Sequence, residues 1–350
     1  MELVRRHAFT LGFLSLFIIF VFFYTDDETT LQRFTGYTMG TSYEVQLVEF
    51  PAGVEPDVLS ADIRALLSEL DTGIFSTYAP DSELSRFNRF PVDTPFIASD
   101  SLLEVLQMAQ DIARLTDGAF DVTVGPLVNL WGFGPTIGIP DEVPTPEAIA
   151  DARARIGYEA LLIDVAQHEI RKQRDIYVDL SGIAKGYAVD RLATLLDNAG
   201  VDSYFLEIGG ELKIRGLKPG GRSWVPAIEA PMDGVSQVYE IFYNRGDTLG
   251  VAGSGDYRNY FEADGIRYSH EIDPRTGRPI SHNLAAVYVI DAATARADAL
   301  ATAFMVLGLE AGRALAEREQ LAVYFIYKAN PDSFADFVTP EFANYLGQGE

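Results

Sequence analysis

Apolar residues along this chain follow two spacings, and the changes between them mark out the elements. The stretch "TGYTMGTSYEVQLVEF" (35–50) alternates every second residue after a glycine-flanked loop, which predicts a strand. Residues 56–71 instead carry Leu59, Ile63, Leu66, Leu67 and Leu70 at helical spacing. Another helix is predicted from Ser99 to about Leu115, stopping before Gly118. "PTPEAIADARARIG" predicts one more, with Thr145 as N-cap and Pro146 at the first helical position. Strand-like runs follow at 160–165 and 175–180, then a helix opened by Ser181 and ended near Asn198–Gly200.

From Tyr204 to Val289 the spacing falls to two. "YFLEIGGELKIRG", "WVPAIEA", "QVYEIFYN" and "TLGVAGSG" read as strands, and a hairpin turns at Asp264–Gly265. "ATARADALATAFMVLG" returns to helical spacing, a second helix follows near 310–319, and "LAVYFIYK" is a late strand. Helices and strands mix without a Gly-x-Gly-x-x-Gly fingerprint, so a dinucleotide-binding Rossmann unit is not expected. No internal repeat or Pro/Gly/Ser-rich linker divides the chain after residue 33. The expectation is a single α+β domain over residues 34–350.

Ahead of it, Arg5 and Arg6 precede an apolar run from Ala8 to Tyr24, and Asp26, Asp27 and Glu28 follow. As a helix this run rises about 26 Å, slightly short of the roughly 30 Å hydrocarbon core. It ends in "FVFFYTDD" without the small residues of a cleavage site, which favours an uncleaved anchor. The positive-inside rule keeps residues 1–7 in the cytoplasm, puts 8–24 in the membrane and makes 25–33 a stalk on the far side. In a Gram-negative cell this gives a single-pass inner-membrane protein with a periplasmic catalytic domain.

Charge narrows the partners. The chain has 27 Lys and Arg against 51 Asp and Glu, a formal net charge of −24. Such a surface disfavours nucleic acid and anionic lipid, so any phosphate ligand needs a local cradle. The chain has no cysteine, which removes disulfides, thiolate metal sites, a cysteine nucleophile and a lipid-modified N-terminal cysteine.

Five stretches hold more glycine, aromatic and polar residues than a core requires. "VDLSGIAKGYAVD" (178–190) puts Ser181, Gly182 and Lys185 where an apolar run turns into a helix. The free N–H groups and positive dipole end of such a turn suit a phosphate, although a plain tight turn has the same look. "STYAPDSELSRFNRF" (76–90) sets Tyr78 at a turn before a short helix capped by Asp81. "TDGAFDVTVGPLVNLWGFG" (116–134) holds Gly118, Gly125, Gly132 and Gly134, too many for a regular element, and reads as a loop that approaches a ligand or packs under Trp131 and Phe133. "GSGDYRNYFEADGIRYSHEIDPRTGRPI" (253–280) surrounds His270 with polar neighbours; the other histidines are His7, His168 and His282. "RADALAT" sets Asp298 and Thr302 one turn apart on a helix face, hard-oxygen ligands suited to Mg²⁺ or an ordinary dipole-favoured aspartate beside a packed threonine.

Together with "TMGT" and "GGELKIRG", these stretches resemble, in order and from about Gly36 to Gly308, the ApbE-type FAD:protein FMN transferases. The resemblance implies a single mixed α/β domain of that type, with FAD as substrate and Mg²⁺ as cofactor. Members move FMN from FAD onto a Ser or Thr of an acceptor flavoprotein, such as a subunit of a membrane redox complex, and release AMP. By motif, Met39, Tyr78, Ala119, Phe120, Asp121, Asp179, Lys185 and Ile272 would contact FAD. Asp298, Thr302 and the Gly182 carbonyl would hold the metal. His270 would be the general base, and Lys185 would also serve catalysis. An aspartate that some members add to the "ADALAT" helix is Ala301 here. An FAD pyrophosphatase releasing free FMN would use the same site. A non-catalytic FAD-binding protein is the other alternative; Asp298, Thr302, Lys185 and His270 argue against it, because binding alone needs no assembled metal site.

Overall fold

The structure, a computed structural model, describes residues 31–134, 143–232, 237–256, 260–263, 266–330 and 333–347. The expected anchor and most of the stalk lie outside the described residues. Gln32 and Arg33, the end of that expected stalk, already pair with Leu47 and Gln46 as sheet.

The centre is an 8-stranded sheet in which every neighbouring pair is antiparallel and the strands lie in chain order. These are β1 (Gln32–Thr38), β2 (Thr41–Leu47), β3 (Tyr204–Ile208), β4 (Glu211–Gly216), β5 (Gly246–Gly255), β6 (Leu284–Asp291), β7 (Ala322–Asn330) and β8 (Ser333–Val338). Between β2 and β3 the chain leaves the sheet to build helices α1 (Pro56–Ser68), α2 (Asp100–Leu115) and α3 (Ala184–Asn198). Helix α4 (Thr294–Arg318) connects β6 to β7.

Strand alternation explains the layers. On β6, Val287 and Val289 enter the core formed with the helices, while Ala286, Tyr288 and Ile290 enter a second core on the opposite face. That opposite face is covered by Trp224 and Phe242, around a small hairpin of Ala227–Glu229 and Val238–Ile241, and by Phe342 near the C-terminal end. Each of these wholly buried aromatic side chains contributes roughly 1.5–3 kcal/mol. A third cluster gathers Leu127, Trp131, Ile149, Ile156 and Ile272.

Helix α4 is apolar and long enough to pass for a membrane span, yet most of it is buried in this protein's own core. It breaks at Gly308, whose φ of 75° continues no helix, as expected from two separate helices there. His282 Nε2–H donates to the Met305 carbonyl at 2.8 Å and so closes the first segment. The other end has no side-chain cap of its own. Asp190 of α3 supplies it, accepting the N–H groups of Thr294 at 3.0 Å and Ala295 at 2.9 Å.

Four local expectations are corrected. Residues 175–180 form no strand: Tyr177 makes a single bridge to Val124, and Glu169–Lys172 pairs with Leu161–Asp164 instead. The Asn88 side chain takes the place of a neighbouring strand, donating to Val178 O and accepting from Val178 N–H, both at 2.8 Å. Helix α3 starts at Ala184 rather than Ser181, because Asp179 Oδ1 accepts the Ser181 N–H at 2.8 Å and holds residues 181–183 in a turn. The glycine-rich stretch 116–134 contains a regular helix, Gly125–Leu130. Gly125 serves close approach there, since a Cβ would lie 2.4 Å from the Tyr177 ring. The helix at Glu83–Asn88 is capped by Ser82, which accepts the Ser85 N–H at 3.0 Å, and not by Asp81. The expected hairpin is present as Tyr260–Ala263 paired with Ile266–Ser269, with its turn residues outside the described ones.

Candidate active site

Three of the polar stretches are tied into one wall by backbone and amide bonds. Asn88 grips Val178, and the Asp179 N–H donates to Val122 O at 2.7 Å. Tyr78 stands on this wall 73% exposed. The Tyr177 phenol is pushed up mainly by burial, then by the Asp179 carboxylate, and it also feels Tyr78. Ala119 and Phe120 are buried below. Asp121 is buried too, and its carboxylate is committed to the loop. Oδ1 accepts from the Thr123 N–H and hydroxyl at 2.8 and 2.7 Å, and Oδ2 from the Tyr158 N–H at 3.0 Å.

Opposite this wall, α3 and α4 close on each other at their N-terminal ends. A Cβ on Gly186 would lie 2.5 Å from Thr294 O, so only glycine allows this approach. The Gly186 N–H donates to Asp298 Oδ2 at 3.0 Å. The turn read as a phosphate cradle therefore already gives one donor to a carboxylate of the protein. Gly182 faces the same seam: a Cβ there would lie 3.1 Å from Thr302 Oγ1 and 3.3 Å from the Phe120 ring. Gly182, Asp298 and Thr302 thus lie along one seam.

Two ion pairs join β4 to α3. Alternation turns Glu211 and Lys213 toward the helices while Leu212 and Ile214 enter the opposite core. Lys213 Nζ lies 2.9 Å from Asp190 Oδ1 and also donates to Ala292 O. Lys185 Nζ lies 2.6 Å from Glu211 Oε1. The Lys185 side chain stays 27% exposed, whereas that of Glu211 is 4% exposed. Glu211 Oε2 is buried with no hydrogen-bond partner.

Electrostatics binds this group together. Burial works against the Lys185 ammonium, but Glu211, Asp298 and Glu207 outweigh it and hold its pKa well above the usual lysine value. Burial pushes Glu211 up to about 8 against the pull of Lys185, with Asp298 adding repulsion. Burial likewise raises Glu207 to about 7 and raises Asp298. Glu271, raised by burial, feels His270, Asp256, Asp298 and Lys185. His270 joins here, its Nε2 3.5 Å from Glu271 Oε1 and its ring edge-on to Phe133. Several buried carboxyl groups thus crowd one ammonium, and their raised proton affinity marks a place that a further positive charge would relieve.

The residues fit Mg²⁺. Asp298 carboxylate, Thr302 hydroxyl and the Gly182 carbonyl are hard oxygen donors, and the missing Cβ at Gly182 leaves the gap beside Thr302 open. Among the described residues, no three His, Asp or Glu side chains converge into an all-protein cage.

Met39 and Ile272, the remaining expected residues, lie in other parts of the fold. Met39, at φ 48°, donates its N–H to Asp71 Oδ2 at 2.8 Å in the β1–β2 turn. That turn lies beside the β3–β4 turn carrying Glu211, where the Gly209 N–H donates to Ser42 O at 3.2 Å. Ile272 lies in the cluster with Trp131. Sequence reading passed over Glu211, Glu207 and Asp190. The available signal was charge complementarity: Glu211 and Lys213 two apart on a buried strand, Lys185 and Asp190 on the facing helix.

The ApbE family model matches residues 39–325. A protein of Vibrio cholerae serotype O1 named FAD:protein FMN transferase is 45% identical over 315 residues, covering 90% of this chain and 92% of that protein. One of the same name from Salmonella typhimurium is 41% identical over 325 residues, covering 92% and 91%. The solved structure of a flavin transferase ApbE from Vibrio cholerae superposes with a TM-score of 0.82 at 43% identity, covering 91% of this chain and 99% of that one.

Proposed function

The chain belongs to the ApbE family, and from that premise we propose that it is a flavin transferase, which cleaves FAD and attaches FMN through a phosphoester to a Ser or Thr of an acceptor protein. The observation that carries this reading is the meeting of Lys185, Glu211, Asp298, Thr302 and Gly182 where the ends of α3 and α4 close together.

The acceptor hydroxyl attacks the FMN-side phosphorus, the anhydride P–O bond breaks, and AMP leaves with the bridging oxygen. Lys185 meets the phosphate charge, and Tyr78 with the 119–122 loop borders the flavin. Asp121 acts through the shape of that loop, because its oxygens are taken. His270 takes the hydroxyl proton and passes it to solvent, the usual part of an imidazole in general-base catalysis. Asp298, Thr302 and the Gly182 carbonyl would hold Mg²⁺, which when bound would supply positive charge beside the phosphates. Such chemistry consists mainly of positioning and charge stabilisation.

The apolar run 8–24, with Arg5 and Arg6 before it and acidic residues after it, supports a single-pass inner-membrane anchor and a periplasmic catalytic domain. Adding FAD and Mg²⁺ to the full chain should quench flavin fluorescence and release AMP once acceptor is supplied. A folded chain that leaves FAD fluorescence unchanged refutes the reading.

A further inference from the structure

The Lys185–Glu211 pair is placed unlike an ordinary buried ion pair. Glu211 is almost wholly enclosed, and one of its oxygens has no hydrogen-bond partner. Lys185 reaches it at 2.6 Å while remaining partly open to solvent. Asp298 and Glu207 compete for the same ammonium. A lysine ammonium is a compact point charge on a flexible stem, so its position is set by whichever anion holds it. Glu211 grows from the β3–β4 turn of the central sheet, a rigid base. Asp298 is already fixed by the Gly186 N–H.

We propose that Glu211 is a positioning residue for flavin transfer: its carboxylate anchors the Lys185 ammonium at the open side of the α3–α4 seam, away from Asp298. The inference rests on the flavin-transfer reading. Two consequences follow from the geometry. The ammonium is presented to the incoming pyrophosphate, and the second oxygen of Asp298 is left for the cation instead of being closed off by lysine. The free Oε2 lets the ammonium turn between two oxygens of one carboxylate as it follows the phosphate, without losing its anchor.

A double-mutant cycle tests this in the full chain with FAD as the probe. FAD affinity by fluorescence quenching, KM and kcat for AMP release, and thermal unfolding are measured for Glu211→Gln, Lys185→Met and the double variant. Glu211→Gln keeps the shape and one acceptor but removes the charge. It is expected to weaken FAD binding and raise KM about tenfold or more, the scale of one charge-assisted hydrogen bond, with a smaller change in kcat. In the Lys185→Met background the same substitution should weaken binding less than twofold. Equal losses in both backgrounds, or unchanged FAD affinity in Glu211→Gln, overturn the proposal in favour of a merely structural carboxylate. If Glu211→Gln does not fold, Glu211→Asp, which withdraws the charge by one methylene, enters the same cycle with the same criterion. A folded wild-type chain that binds no FAD overturns the flavin reading, and this inference with it.

Discussion

Strand β4 and helix α3 are joined twice, and the two joints differ in what they leave unsatisfied. At Lys213–Asp190, both oxygens of Asp190 are used: Oδ1 meets Lys213 and the Thr294 N–H, and Oδ2 the Ala295 N–H. Lys213 adds a bond to Ala292 O. At Lys185–Glu211, one carboxylate oxygen has no hydrogen-bond partner, the lysine side chain stays partly exposed, and neighbouring carboxyl groups outnumber the cation. The first joint is scaffold: it caps α4 and so places Asp298 one turn further on. The second is a site. Burial alone does not distinguish them; the completeness of hydrogen bonding does.

The largest effect should come from removing the carboxylate that the scaffold positions. Asp298→Ala is expected to lower AMP release some thousands-fold, several kcal/mol at roughly 1.4 kcal/mol per tenfold, with little recovery in excess Mg²⁺. It also strands the Gly186 N–H, so Asp298→Asn, which still accepts that bond, shows how much of the loss belongs to charge. Full activity in both variants would remove Asp298 from the site.

Next comes His270→Ala, expected to slow FMN transfer by about 10²–10⁴ while FAD binding stays within a few-fold. A parallel loss of binding, read by fluorescence, would make His270 a binding group and not a base.

The scaffold joint should respond in stability. Asp190→Ala strands Lys213 and removes the α4 cap, which costs about 3 kcal/mol or more in urea unfolding. FAD affinity of the folded fraction should change little. If Asp190→Ala lowered affinity as much as Glu211→Gln, the division between scaffold and site would fail.

The smallest effect is a pH slope. Glu207 is raised from the ordinary 4.5 to about 7 by burial. Its protonated form favours the fold, so that stability is fully present below about 4.5 and is lost as pH rises through about 7. The loss amounts to at most about 3 kcal/mol. Glu207→Gln should therefore flatten the fall in unfolding temperature between pH 5 and 7.5. An unchanged slope would assign the dependence elsewhere.

Much of this was legible in sequence, for identifiable reasons. The period-two runs of 204–216 and 248–255 and the helical run of 293–308 have strong local patterns, and they became β3, β4, β5 and the first part of α4. The run 175–180 looked equally strand-like, but a distant amide, Asn88, buries and pairs it, which no local pattern reveals. Gly182, Asp298 and Thr302 were singled out by motif order, and the structure places them along one seam. Glu211 was missed because a glutamate on a strand reads as solvent-facing until the sheet order places α3 over it. The chain-order pairing of the central sheet was not readable either, since more than a hundred residues separate β2 from β3.

The central claim is that this site moves FMN to a protein hydroxyl rather than to water. The direct measurement incubates the full chain with FAD, Mg²⁺ and a candidate membrane redox subunit, then quantifies AMP and searches that subunit by mass spectrometry. The account predicts one AMP for each FMN found covalently on a serine or threonine, and slow AMP release when the subunit is omitted. AMP and free FMN appearing at full rate without acceptor, with no labelled protein, would contradict it and make the enzyme a hydrolase.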